Sequence, residues 1–246
     1  MPADAVLEIA NVSVRFGGIN AVSDVSLAAL PGQVTGLIGP NGAGKTTTFN
    51  VITGLQEPTH GRVFIAGQEI SSLPPHKRAR LGLARTFQRL EVFGSLTVFE
   101  NLLAAAEFHK SWSAEPTPPR QVATEVLDRV GLRRVGNARV DALPTGIARL
   151  VELGRALATR PRVLLLDEVG SGLNPDETEA LGDLMLDLVS DGMAILLVEH
   201  DVELVMRVCA RIYVLDFGRI IAEGTPAAIQ QDPVVQAAYL GSEDVA

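Results

Sequence analysis

The sequence has little cysteine, few aromatic residues and no excess of basic charge, and each shortage excludes a class of protein. Cys209 is the only cysteine among 246 residues, so an internal disulfide and a Cys-rich metal site are excluded, and a reducing, cytoplasmic setting fits best. The net charge of -8 provides no general attraction to nucleic acid, and we expect no nucleic-acid partner. Aromatic residues make up 4%, so the core is expected to consist of Leu, Val, Ile and Ala, as in parallel sheets covered by helices.

Long apolar runs are also missing. The longest, such as Val163–Leu166 and Met193–Val198, are far shorter than the ~20 residues that a membrane-spanning helix requires. The N-terminal segment MPADAVLEIANVSVRF has neither a basic region nor a long apolar region, so no signal peptide is predicted. We therefore expect a soluble chain whose contact with any membrane is made only through partner proteins.

Strand patterns dominate the opening third of the chain. Val6–Val14 has apolar residues at many alternate positions, Val34–Ile38 is a compact apolar run, and Arg62–Ala66 is a further short strand pattern. The basic segment Pro74–Ala84 is predicted to be helical. Near the other end, the apolar run Ala194–Val198 is typical of a buried parallel strand.

Between the strand regions the sequence changes to a helical period. The segment TVFENLLAAAEF has Thr97 as a helix N-cap and Glu100 three residues later, which predicts a capping box. A second helix, Gln121–Val130, follows a proline-rich loop. We predict a single domain that covers residues 1–246. Its α/β core comprises residues 1–88 and 156–246, and a helical lobe, residues 89–155, is inserted between these two parts.

A glycine-rich segment between a predicted strand and a predicted helix has the pattern of a phosphate-binding loop, G-x-x-x-x-G-K-[ST]. Its glycines let the backbone wrap closely around phosphate with N–H groups pointing inward. Lys45 supplies a charge for the β- and γ-phosphates, and the Thr46 hydroxyl is a ligand for Mg²⁺. The helix that begins at Thr47 turns its positive end toward the same phosphates. The predicted nucleotide-binding residues of this segment are Gly39, Pro40, Asn41, Gly42, Ala43, Gly44, Lys45, Thr46 and Thr47.

Two acids follow the apolar run Val163–Leu166, at the end of a strand where open α/β sheets bind ligands. After a phosphate loop, Asp167 is expected to hold Mg²⁺. Glu168 is expected to orient and deprotonate the attacking water. The sequence therefore predicts a nucleoside triphosphatase that uses Mg²⁺; the family resemblance below implies that the nucleotide is ATP.

A phosphate loop followed by LLLDE, with a helical segment between them, resembles the ABC ATPases. That resemblance implies an α/β fold of the P-loop ABC type, with a mixed sheet, an antiparallel β lobe and an inserted helical lobe. It also implies that Gln88 in ARTFQ contacts the metal and water site, and that His200 in VEHD contacts the γ-phosphate. By the same resemblance, Asn174 ends a D-loop that usually closes with Asp, and Phe16 stacks on adenine.

Two departures from the family pattern stand out. Val169 follows the catalytic acid where a proline is common. The signature motif, usually LSGGQ, is LPTGI here, and the resemblance makes it part of the nucleotide site of a partner chain. Pro144 offers neither a hydroxyl nor an N–H to a phosphate. The signature residues are Leu143, Pro144, Thr145, Gly146 and Ile147.

Within the family, several stretches resemble the ATP-binding subunits of branched-chain amino-acid importers, and importers of urea and short amides share much of the pattern. They are RFGGINAV, GLARTFQ, LTVFENLL, SGLNP, VEHDVELVM and GTPAAIQQDPVVQAAYLG. The resemblance implies a peripheral protein on the cytoplasmic face of the inner or plasma membrane. Its partners would be membrane permeases and a second ATP-binding subunit, identical or different, bound head to tail.

Three alternatives remain open from the sequence. One is the ATPase of a lipid or lipopolysaccharide exporter, which has a similar tail, although ARTFQ and SGLNP argue against it. Another is a non-transport ABC ATPase of DNA repair or translation, which usually carries tandem ATPase domains or long coiled coils. The last is a regulatory module that binds nucleotide without hydrolysis, which Pro144 suggests and the intact acids oppose.

Overall fold

The structure is a computed structural model that describes residues 4–238. Its strands are, in chain order, β1 (Leu7–Phe16), β2 (Ile19–Ala29), β3 (Val34–Ile38), β4 (His60–Ile65), β5 (Gln68–Glu69), β6 (Leu83–Arg85), β7 (Val163–Asp167), β8 (Ala194–Val198), β9 (Arg211–Asp216) and β10 (Arg219–Gly224). Its α-helices are α1 (Lys45–Thr53), α2 (Pro75–Arg80), α3 (Val98–Lys110), α4 (Pro119–Arg129), α5 (Thr145–Leu157), α6 (Pro175–Ser190), α7 (Val202–Val208), α8 (Pro226–Gln231) and α9 (Pro233–Ala238).

The strands form two sheets. One has four antiparallel strands in the order β2-β1-β4-β5. The other has six strands in the order β10-β9-β3-β8-β7-β6, parallel except for β10, which forms a hairpin with β9. Every residue of β3, β7 and β8 is buried, because these strands are covered on both faces. The expected mixed sheet and antiparallel β lobe are therefore confirmed.

Each face of the six-stranded sheet belongs to a different core. Alternate residues of β7 and β8 face α1 and the antiparallel sheet, where Phe49 is fully buried. The opposite alternation faces a larger core built from α3 to α7. The sole cysteine, Cys209, lies in this second core and is 6% exposed, and burial raises its thiol pKa to about 12.

Local sequence explains where several helices begin and where one ends. Thr97 accepts a hydrogen bond from the Glu100 N–H, and the Glu100 carboxylate accepts one from the Thr97 N–H, which is the predicted capping box of α3. These hydrogen bonds lower the pKa of Glu100. Asn174 and Glu177 form the same arrangement at the start of α6. The helix after the phosphate loop ends at Gly54, whose φ of 80° suits glycine.

Two expected helices begin two residues earlier than predicted, at Lys45 and Pro119, and a larger difference from the sequence-based expectation lies in a third segment. Pro74–Ala84 was expected to be helical throughout, but the helix α2 ends at Arg80 and the chain then enters β6 at Leu83. Gly82, with a φ of 95°, turns the chain between the two elements. The strand β6 joins the sheet edge beside β7, which brings the ARTFQ segment, residues 84–88, to the two acids.

The helices α3, α4 and α5 lie between β6 and β7 in the chain. The division into a core and an inserted lobe with boundaries at 88/89 and 155/156 stays a prediction. The helix α5 crosses the second of those boundaries, since it reaches Leu157.

Candidate functional site

The phosphate loop connects the end of β3 to the start of α1 and is shaped by two close backbone approaches. A Cβ on Gly39, whose φ is 148°, would lie 1.9 Å from the Leu215 carbonyl oxygen. A Cβ on Gly44, whose φ is 110°, would lie 2.6 Å from the Ala21 carbonyl oxygen. Only glycine fits at either position. The loop is therefore held against both sheets of the molecule.

Lys45 is buried at the first position of α1, at 7% exposure. Its Nζ donates hydrogen bonds to the carbonyl oxygens of Gly39 and Pro40, at 2.5 and 3.0 Å. Burial lowers the pKa of the ammonium, while the nearby carboxylates of Glu168 and Asp167 raise it. The phosphate loop thus holds the Lys45 ammonium against its own carbonyl oxygens and close to the carboxylates of Glu168 and Asp167.

Asp167 ends β7 and is 1% exposed. Its carboxylate accepts a hydrogen bond of 2.8 Å from the Arg85 guanidinium, which also donates to Asn50 Oδ1 of α1 at 2.7 Å. The Arg85 guanidinium lies 5.3 and 4.9 Å from the ring centroids of Phe49 and Phe87. A buried ion pair therefore fixes the acid relative to the phosphate-loop helix.

Glu168 brings together three predicted site residues. Gln88 Nε2 donates to one carboxylate oxygen at 3.1 Å, and His200 Nε2 lies 3.0 Å from the other. The Glu168 backbone has a φ of 52°, which is unfavourable for a residue other than glycine. Its N–H donates to the Val198 carbonyl of the neighbouring strand β8 at 2.9 Å, which holds this conformation. Strain of this kind is typical of functional positions.

The donor set suits a magnesium ion. Thr46, Asp167 and Gln88 offer a hydroxyl, a carboxylate and an amide oxygen, the hard oxygen ligands that Mg²⁺ prefers. Since Gln88 uses its Nε2 on Glu168, its carbonyl oxygen is the end left for a metal. Asp167 has one carboxylate oxygen engaged by Arg85, and the other is not used in a side-chain ion pair among residues 4–238.

A buried acid that the sequence did not single out connects the histidine to the segment after Glu168. Glu199 Oε1 accepts a hydrogen bond from the Gly170 N–H at 2.6 Å, and Oε2 accepts one from the His200 N–H at 3.3 Å. Burial raises the pKa of this carboxyl, and the charge of Glu168 raises it further. A Cβ on Gly170 would lie 3.2 Å from Glu199 Oε1, a tight contact that the glycine avoids.

The signature segment lies at the start of α5, where Pro144 is the N-cap residue and both Pro144 and Thr145 are exposed. Gly146 is buried against the D-loop of the same chain, because a Cβ there would lie 2.8 Å from the Gly172 carbonyl oxygen and from Leu173. Within residues 4–238, the signature makes no hydrogen bond to the chain's own phosphate loop. Its role in nucleotide binding therefore stays a prediction that concerns a partner chain.

The remaining predicted residues occupy the surroundings expected of their types. Asn174 uses its side chain to cap α6, which gives it a structural function independent of any ligand. Phe16 ends β1 and is 49% exposed, so it is a surface residue and not part of the core. Asn41, Gly42 and Thr46 are exposed on the loop surface.

The residues that sequence reasoning missed are charged side chains buried beside the site, above all Arg85 and Glu199. Arg85 stands in the quoted ARTFQ segment, yet nothing in its neighbours shows that the guanidinium would turn inward to Asp167. In the sequence, both residues stand at the end of an apolar strand pattern. Many exposed charged residues stand at such positions too, so this signal could not identify them.

Among residues 4–238, no helix is both long and apolar enough to cross a membrane.

Comparison with known proteins shows the family to which the chain belongs. A family model described as "ABC transporter" matches residues 22–171, and one described as "Branched-chain amino acid ATP-binding cassette transporter" matches residues 219–245. The second match includes the tail Tyr239–Gly241, which lies outside the described residues. A solved structure of the ADP conformation of MJ1267, an ATP-binding cassette of an ABC transporter, has a TM-score of 0.83 at 30% identity, covering 96% of this chain and 99% of that one.

Two curated relatives address the importer and exporter alternatives. The chain is 41% identical to the high-affinity branched-chain amino acid transport ATP-binding protein BraF of Pseudomonas aeruginosa, over 96% of this chain and 98% of the relative. It is 37% identical to the lipopolysaccharide export system ATP-binding protein LptB of Haemophilus influenzae, over 97% and 98%. The exporter is the more distant relative, and the chain belongs to the ABC transporter ATP-binding proteins.

Proposed function

We propose that this chain is the ATP-binding and ATP-hydrolysing subunit of an importer for branched-chain amino acids or a related small solute such as urea or an amide. It would act as a peripheral protein on the cytoplasmic face of the membrane. The observation that carries the proposal is the Glu168 carboxylate, which lies between Gln88 and His200 and beside the buried Lys45. The likeness to BraF supports the choice of cargo class.

In this proposal the phosphate loop binds the triphosphate of ATP. Backbone N–H groups of residues 39–47, except that of Pro40, which has none, contact the phosphates, and Lys45 turns from its carbonyl partners to the β- and γ-phosphates. Phe16 stacks on the adenine from the exposed end of β1. Asn174 approaches the nucleotide from the D-loop.

Glu168 is the proposed general base. A carboxylate at a strand end can accept a proton from water, and Gln88 and His200 fix its two oxygens in position. Thr46, Asp167 and Gln88 would hold Mg²⁺, which supplies neutralisation of charge on the phosphates when bound.

A second ATP-binding subunit and membrane permeases are the proposed partners. An apolar groove of about 500 Å³ supports the permease contact. It is lined by Leu55, Pro75, Phe93, Phe108 and Trp112, among others, and Phe93 and Phe108 are 50% and 70% exposed. A surface of this kind fits an apolar helix of a partner chain.

The test of the proposed function is the variant Glu168→Gln. The amide keeps the size and most hydrogen bonds of the acid but cannot accept the water's proton. We expect ATP affinity to stay within a few-fold of wild type and hydrolysis to fall by roughly 10²–10⁴-fold. Nucleotide binding by calorimetry and phosphate release under saturating Mg-ATP measure the two effects. Undiminished hydrolysis would remove Glu168 from the role of general base.

A further inference from the structure

One face of α5 carries three charged residues at intervals of three positions, Arg149, Glu152 and Arg155. Residues three apart lie on the same side of a helix, so the three side chains form one row. Arg149 and Glu152 are buried, at 8% and 5% exposure. Charged residues are seldom buried without partners, and the proposed chemistry uses none of the three.

The partners of this row belong to the Gln88 loop, which we define as residues 87–93. Arg149 donates from Nη1 to the Phe87 carbonyl oxygen at 3.1 Å and from Nη2 to the Gln88 carbonyl oxygen at 2.7 Å. Glu152 Oε1 accepts a hydrogen bond from the Phe87 N–H at 3.1 Å. All three bonds therefore go to the backbone of Phe87 and Gln88.

Arg155 extends the row to the far end of the loop. Its Nη1 donates to the Glu91 carbonyl oxygen, and its guanidinium lies 4.5 Å from the centroid of the Phe93 ring. Phe93 and Arg155 both line the apolar groove. The same helix face thus contacts the loop at its catalytic end and at its groove end.

The orientation of these arginines has a visible cost. The Nε atoms of Arg149 and Arg155 are buried without a hydrogen-bond partner among the described residues. An unsatisfied buried donor is unfavourable. Burial also raises the pKa of Glu152 and lowers that of Arg155. The hydrogen bonds to the loop are the contacts that offset these costs.

We propose that Arg149, Glu152 and Arg155 are positioning residues that hold the backbone of the Gln88 loop against α5, so that the Gln88 side chain reaches Glu168. The helix begins at the signature segment, and the loop carries Gln88 and Phe93. Held in this way, the Gln88 side chain stays within hydrogen-bond distance of the Glu168 carboxylate. This inference rests on the proposed function for its consequence, while the mechanical link itself rests on the contacts alone.

The mechanical link is tested by amide hydrogen exchange on the full chain with Glu152→Leu, Glu152→Gln and Arg149→Met. In Glu152→Leu the Phe87 N–H loses its acceptor, so its exchange rate should rise roughly tenfold or more above the wild-type rate. This is the change expected from the loss of one hydrogen bond to a charged group. Glu152→Gln retains Oε1 as an acceptor and should keep the wild-type rate. Arg149→Met should accelerate exchange across residues 87–91.

Arg129→Met is the matched control. Arg129 also joins two helices by charged hydrogen bonds, to Asp187 and Asp191, but has no contact with the Gln88 loop. Its removal should leave exchange in residues 87–91 unchanged. Wild-type exchange of the loop in Glu152→Leu and Arg149→Met would overturn the proposal. So would faster exchange throughout the chain, since that indicates general destabilisation.

A kinetic cycle tests whether Arg149 acts through Gln88. Arg149→Met should lower kcat for ATP about tenfold, because it displaces Gln88 from Glu168. Nucleotide affinity should stay within twofold, because Gln88 binds neither the base nor the ribose. In a Gln88→Ala background the same change should cost less than twofold, since residues acting as one unit are not additive. An equal tenfold loss in both backgrounds would show that Arg149 does not act through Gln88.

The two proposals fail in different ways. If the wild-type chain and its complex hydrolyse no ATP, the proposed function fails, while the exchange experiment still decides the link between α5 and the loop. If hydrolysis is normal and exchange in the loop does not respond to Glu152→Leu, the link fails and the proposed function stands.

Discussion

At the scale of single residues, the site depends on charged side chains that lie close together and are mostly buried. Lys45, Arg85 and the two acids that end β7 lie within a small volume, and each compensates the charge of another. The sequence predicted the chemistry of Lys45 and the acids, since motif spacing alone identifies them. It could not predict the partner of Asp167, because the direction of a long side chain depends on tertiary packing.

Replacing the lysine tests nucleotide binding directly. Lys45→Ala removes the ammonium that would meet the β- and γ-phosphates, so ATP binding at micromolar concentrations should be lost. The fold should persist, since α1 and its glycine caps do not use the side chain. Calorimetric titration with ATP and a circular dichroism spectrum measure the two effects. Retained micromolar binding would contradict the assignment of the phosphate loop.

Removing the buried guanidinium tests the ion pair with Asp167. Arg85→Met leaves that carboxylate without a partner at 1% exposure, so the free energy of unfolding should fall by about 3–5 kcal/mol. Arg129→Met is the control, because its ion pairs are largely exposed and should contribute about 0–1 kcal/mol. Urea denaturation without nucleotide measures both. Equal losses in the two variants would show that burial does not strengthen the Arg85 pair.

At the scale of elements, the sequence predicted strands and helices well where one local signal was strong. The short, mainly apolar runs became β3, β7 and β8, and the Thr97–Glu100 pattern became a capping box. The sequence misjudged Pro74–Ala84, because the three-residue strand β6 has no alternation of its own and exists only by pairing with β7. Edge strands of this length are decided by tertiary contacts.

The groove beside α3 allows a test of permease docking. Phe93→Asp places a charge in the apolar groove and should prevent assembly with the permeases, with little effect on ATP binding by the isolated chain. Phe217→Asp is the matched control, since that ring is 87% exposed at the β9–β10 hairpin and is not among the groove residues. Co-purification from membranes measures assembly. Normal assembly of a well-folded Phe93→Asp protein would show that the groove is not the docking surface.

At the scale of the whole molecule, the altered signature has its effect in the dimer. In the proposed head-to-tail dimer, each signature faces the other chain's nucleotide, and Pro144 offers it neither a hydroxyl nor an N–H. One lost hydrogen bond to a charged phosphate is worth about 1.5–3 kcal/mol. A homodimer would lose it at both sites, whereas a partner with an intact signature would restore one.

Restoring the motif tests this asymmetry. The isolated chain should hydrolyse ATP weakly, and the triple change Pro144→Ser, Thr145→Gly and Ile147→Gln should raise the rate by roughly 10- to 150-fold. Addition of the partner subunit should have a similar effect. Steady-state hydrolysis at saturating Mg-ATP measures the rates. If the restored and wild-type chains are equally active, Pro144 and Thr145 are harmless and the case for an asymmetric dimer fails.

The burial of Cys209 makes the thiol a natural reporter of unfolding. With its pKa at about 12, on the order of 10⁻⁴ of the thiol is ionised at pH 8, and the sulfur is also shielded by the core. A maleimide should therefore leave the native chain unmodified and react once when it unfolds. It follows that a cysteine introduced at any exposed position can carry a fluorophore or a spin label alone, without removal of the native thiol. Rapid modification of Cys209 in the folded chain would contradict its burial.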